Sequence, residues 1–69
     1  MLNLDNIPSF ISQQELAELL DVHVNTVMRW RRNGKIRAYM VGRHWRIHKD
    51  DIKKFLEEHS NIKEKDSDE

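Results

Sequence analysis

The stretch ISQQELAELLDVHVNTVMRWRRNG, residues 11–34, holds two helix starts and two helix stops in a span that leaves room only for a turn between them. Ser12-Gln13-Gln14-Glu15 is a capping box: the Ser12 hydroxyl can accept from the Glu15 amide while the Glu15 carboxylate reaches back to the Ser12 amide. Ile11 before the cap and Leu16 at the fourth helical position make a hydrophobic staple, and Leu16, Ala17, Leu19 and Leu20 give the helix a buried stripe. The spacing predicts a helix that ends near Leu20. Asp21-Val22-His23-Val24 breaks the period, and Asn25 offers a second cap ahead of a helix over Thr26 to Asn33 that stops at Gly34. The reading is helix, short turn, helix.

Outward from this pair, charge separates along the chain. Met1 to Val22 carries Asp5, Glu15, Glu18 and Asp21 with no Lys or Arg, whereas from His23 to Lys49 every charged side chain is basic: Arg29, Arg31, Arg32, Lys35, Arg37, Arg43, Arg46 and Lys49. The formal net charge is +0, so the basicity is local. An ordinary solvated face interleaves acids with bases, and a segment without acids points to a polyanionic partner, nucleic acid first. On the second helix Val27 and Trp30 share the face assigned to the core against Leu16, Leu19 and Leu20, so that loss of Trp30 is expected to unfold the domain. Arg29 and Arg32 point away from that face, with Asn25 and Thr26 near them, a set suited to base edges and phosphates. At roughly 12 Å long the helix matches a B-DNA major groove of about the same width.

After Gly34 the period changes to that of strands. Ile36 to Val41 and Arg43 to His48 are β-prone runs joined at Gly42, which predicts a hairpin. Alternation sends Arg43, Trp45 and Ile47 to one face and His44, Arg46 and His48 to the other, with Ile47, Val41 and Tyr39 expected over the core. Such a ribbon can lie along a phosphate backbone or put an arginine into a minor groove. Asp50 or Asp51 then caps a third helix whose Ile52, Phe55 and Leu56 close the core, while Lys53, Lys54, Glu57 and Glu58 form solvated surface. The fold class is mostly α with a small β-hairpin.

Size and composition bound the remainder. A chain of 69 residues makes one small, marginal domain, and without cysteine it has neither disulfide nor thiolate zinc site. Residues 1–9 form a lead in which Leu2, Leu4 and Ile7 could dock or dimerise, residues 10–59 the domain, and residues 60–69 a charged tail too poor in apolar groups to order itself. No stretch is apolar over the length of a bilayer and no signal peptide is evident, so a cytoplasmic protein is expected. His23, His44, His48 and His59 raise the question of a metal. On a strand His44 and His48 would stand about 13 Å apart, too far to share an ion, and no cofactor is expected. An enzyme is not expected either: there is no phosphate-binding glycine loop, no cysteine nucleophile and no carboxylate pair within the basic window.

The marks ELAELL, NTVMRW, NGKIRAYMVGRHWRI and DDI, in that order between Phe10 and Leu56, resemble the winged helix-turn-helix domain of the excisionase family, related to the DNA-binding domain of MerR-type regulators. The resemblance implies that Asn25, Thr26, Arg29 and Arg32 enter the major groove and that the wing around Gly42, Arg43, His44 and Arg46 meets the backbone or the minor groove. Trp45 matches the aromatic position of the family wing, where packing is its expected role. Two positions depart from the family pattern. Arg31 stands where an apolar residue is common; its stem is expected over Trp30 and its head on a phosphate, beside contacts from Lys35 and Arg37. Val24 stands where a polar or basic residue is common.

The resemblance further implies one of two roles, a recombination directionality factor that works with an integrase or recombinase, or a small transcriptional regulator that meets RNA polymerase. Either would be a monomer in solution that associates on DNA. The alternative outside DNA binding is an adaptor that recruits a recombinase or polymerase with little DNA affinity of its own. RNA fits less well, because the groove of an A-form duplex is too deep and narrow for the helix.

Overall fold

The capping box forms as the sequence predicts. Ser12 Oγ accepts from the Glu15 amide at 3.0 Å, and the Ser12 amide donates to Glu15 Oε1 at 2.9 Å. In the computed structural model, which describes residues 6–61, the order is β1 (Phe10–Ser12), α1 (Gln13–Leu20), α2 (Val24–Arg32), β2 (Tyr39–Val41), β3 (His44–His48) and α3 (Lys49–Glu58). Leu2 and Leu4 of the lead, and the tail from residue 62 onward, lie outside the described residues.

Helix α1 closes through two bonds that need a left-handed residue: Val22 N–H to the Ala17 carbonyl at 2.9 Å and Asp21 N–H to the Glu18 carbonyl at 3.2 Å, with Asp21 at φ 58°. Three residues, Asp21 to His23, then turn the chain into α2. Helix α2 ends by the same device, with Gly34 at φ 73° and bonds from Gly34 N–H to Arg31 and from Lys35 N–H to Trp30.

Two starts differ from the sequence reading. The cap of α2 is His23, whose Nδ1 accepts from the Asn25 amide at 3.0 Å, so the helix begins two residues before Thr26 and Asn25 lies within its first turn. The cap of α3 is His48, whose Nδ1 accepts from the Asp50 amide at 3.0 Å. Asp50 and Asp51 instead occupy the first turn of α3, where negative charge complements the helix dipole. In both cases an imidazole nitrogen does the work usually given to a short oxygen side chain.

The sheet has three antiparallel strands in the order β1-β3-β2. Gly42 and Arg43 form a two-residue hairpin turn, closed by the pair Val41 and His44, and Gly42 at φ 66° supplies the positive angle that such a turn requires. The additional strand is β1. Ile11 stands opposite Ile47, and both are buried, so Ile11 is a sheet residue as well as the residue before the α1 cap. Arg43 lies in the turn, not in the strand.

The core is wholly apolar among the described residues: Ile11, Leu16, Ala17, Val27, Ile36, Ile47, Ile52 and Phe55 are buried, and no polar or charged residue is. Leu16, Val27, Ile47 and Ile52 have no exposed surface, each contributing about 1.5–3 kcal/mol by burial. Trp30 is half-buried; its ring lies 4.6 Å from that of Phe55, which in turn lies 4.1 Å from His59, so this stack joins α2 to α3 at the margin of the core. Tyr39 and Val41 do not cover the core as expected. Strand β2 is the sheet edge, and Val41 is 54% exposed there. Three helices and a three-stranded sheet with a hairpin make the winged helix-turn-helix that the sequence predicts.

Candidate nucleic-acid interface

Helix α2 is held on one side and open on the other. Val27 is fully buried, Val24 and Trp30 pack against the core, and the opposite side presents Asn25, Arg29 and Arg32 to solvent, with Thr26 half-buried between the two. Arg29 and Arg32 are three residues apart, which places their guanidinium groups on one stretch of surface. Nine residues give α2 a length of about 14 Å. Its start depends on the His23 cap. His23→Ala is therefore expected to destabilise the domain by about 1 kcal/mol, and His23→Asn to restore it, read by thermal melting. Equal melting of parent and His23→Ala would remove the cap from this account.

The wing carries a second group of cations. Opposite residues on antiparallel strands share a face, so Tyr39, Arg46 and Ser12 lie together on the side of the sheet away from Ile47, as do Val41 with His44 and Phe10 with His48. His44 is exposed and Arg46 half-buried. The Arg37 guanidinium lies 5.4 Å from the centre of the Tyr39 ring, and Phe10 meets Tyr39 edge-on at 5.7 Å, giving this face an aromatic floor beneath its positive charge. Lys35 is exposed just after α2, and Arg43 is exposed at the hairpin turn, between the two faces of the ribbon.

Arg31 is placed differently. Its Nε donates to Gln13 Oε1 at 2.7 Å, and its guanidinium carbon lies 4.4 Å from the centre of the Trp45 ring. The aromatic partner of Arg31 is thus Trp45 of β3 and not Trp30. Trp45 itself is half-buried on the sheet face that bears Ile47, where its ring meets the Arg31 guanidinium. Gln13 had no sign in the sequence beyond its position after the cap.

Electrostatically the basic window is unopposed among the described residues. Among the described residues no Arg or Lys lies within 4.0 Å of a carboxylate; His48 Nδ1 comes within 3.7 Å of Asp50 Oδ2, but it is the nitrogen whose lone pair accepts from the Asp50 amide, so the contact is not an ion pair. The described residues also contain no group of three or more His, Cys, Asp or Glu side chains placed to hold a metal ion, and no helix long and apolar enough to cross a membrane.

A comparison with models of protein families matches residues 10–60 of the 69 to the helix-turn-helix domain. The chain belongs to the helix-turn-helix domain family. The match starts at the first residue of β1 and runs through α3, so it takes in the sheet as well as the two helices that give the family its name. No curated protein and no solved structure matches the chain. A helix-turn-helix domain supports DNA as the partner, and domains of this family are typically non-enzymatic.

Proposed function

We propose that this helix-turn-helix protein binds double-stranded DNA sequence-specifically as an excisionase-type factor of the cytoplasm and nucleoid, directing recombination or regulating transcription. The observation that carries the reading is the state of Arg29 and Arg32: exposed, adjacent on a capped and anchored helix, and unpaired by any carboxylate among the described residues. Within this reading Asn25, Thr26, Arg29 and Arg32 face base edges and flanking phosphates in the major groove. Lys35, just after α2, meets a flanking phosphate, and Arg37, Arg43, His44 and Arg46 serve the wing. Their distribution over the tip and the outer sheet face suits a ribbon entering a groove, which has a sugar-phosphate wall on each side.

The test is duplex binding at rising salt, with the preferred site first selected from a random pool. Neutralising about five phosphates gives a log–log slope of about −4 to −5. A flat salt response would refute the reading and leave the adaptor role. Between the two DNA-linked roles, an excision assay with the cognate recombinase and a promoter reporter give opposite answers. Direct repeats among the selected duplexes would fit a monomer that associates on DNA.

A further inference from the structure

Among the described residues, Arg31 is the cation of α2 whose guanidinium is engaged by other side chains. The engagement bridges three elements. Gln13, 18 residues away in sequence, opens α1; Arg31 lies in the last turn of α2; Trp45 lies in β3, two residues from buried Ile47 on the side of the hairpin turn. The close backbone neighbours of β3 are β1, β2, α1 and α3, and α2 approaches it less closely. A side-chain bridge therefore adds a direct tie between α2 and the outer half of the wing, beyond the core they share. The guanidinium is suited to it, since a planar group can stack by its face on an aromatic ring and donate by its edge to an amide oxygen at the same time.

We infer that Arg31 is a positioning residue, holding the wing at a fixed attitude to α2 through Trp45 and Gln13, and is not one of the phosphate contacts. The inference rests on the DNA-binding reading above for its effect on affinity, but the bridge itself belongs to the free protein. Lysine keeps the charge and loses the planar fork, whereas methionine loses the charge and keeps a long side chain whose sulfur packs well on aromatic rings.

Three variants of the full chain, Arg31→Lys, Arg31→Met and Gln13→Ala, separate the roles on the selected duplex. Positioning predicts that Arg31→Lys weakens binding about tenfold, the scale of losing one stacked and hydrogen-bonded contact. It predicts that Arg31→Met, which cannot donate to Gln13, weakens binding by a similar factor without changing the salt slope, and that Gln13→Ala weakens binding although it removes no charge. A phosphate contact predicts the reverse: a near-normal Arg31→Lys, an unaffected Gln13→Ala, and an Arg31→Met slope shallower by about 0.9. In the free protein, the Arg31 Nε–H resonance should be displaced by the Trp45 ring and slow to exchange, and Gln13→Ala should abolish the slow exchange. An undisplaced, fast-exchanging Nε–H would overturn the bridge even if no duplex were bound, so the two readings fail separately.

Discussion

Ile47→Ala is expected to leave the chain unfolded at ordinary temperature. Ile47 has no exposed surface, stands opposite Ile11 across β1 and β3, and shares the core with Leu16 of α1 and Ile52 of α3. Truncating such a side chain costs about 2–5 kcal/mol through lost transfer energy and the cavity left behind. A core in a chain this short supplies only about 3–5 kcal/mol in total. The two figures overlap, so the folded population should collapse. Circular dichroism during a thermal ramp reads the result, and a cooperative melt close to that of the parent would show that the sheet is not tied to the helices through Ile47. Trp30→Ala makes the contrast. Trp30 is half-buried at the edge of the core, so its loss should lower the melting temperature without abolishing the transition.

The second large effect concerns recognition. Arg29→Ala is expected to cost about 1–3 kcal/mol on the preferred duplex and to relax discrimination at the position it reads. With Arg32→Ala added, the preferred and random duplexes should bind almost alike, roughly a hundredfold or more below the parent on its own site. Both residues are exposed and make no ion pair or side-chain hydrogen bond among the described residues, so the fold should be untouched and the double variant should melt as the parent does. Unchanged selectivity in that variant, measured by competition between site and random duplexes, would take α2 out of the reading surface.

What could be read from the sequence was what is decided locally. The Ser12–Glu15 box, the end of α1, the stop at Gly34 and the hairpin at Gly42 each depend on residues within four or five positions of one another, and each is present. For the caps of α2 and α3 the sequence points to Asn25 and to Asp50 or Asp51, because short oxygen side chains are the usual acceptors. The structure uses the imidazoles of His23 and His48 instead. Strand β1 leaves no mark in the sequence for a different reason: it is three residues long and its partner is more than thirty positions away, so no period reveals it. The same holds for the candidate site. The wheel placed Arg29 and Arg32 outward, but that Arg31 turns to Trp45 and Gln13 is a matter of how three elements meet, which spacing within one helix does not contain.

The pairing of β1 has a bearing on solubility. With Phe10 to Ser12 in place, β3 is the middle strand and its backbone is satisfied from both sides. A chain shortened past Ser12 would turn β3 into a raw edge next to Ile47, with a row of unmet amides and carbonyls that a second molecule could fill. Such a fragment would keep every cation assigned to DNA and still be a poor reagent, because it would tend to clump before it met a duplex.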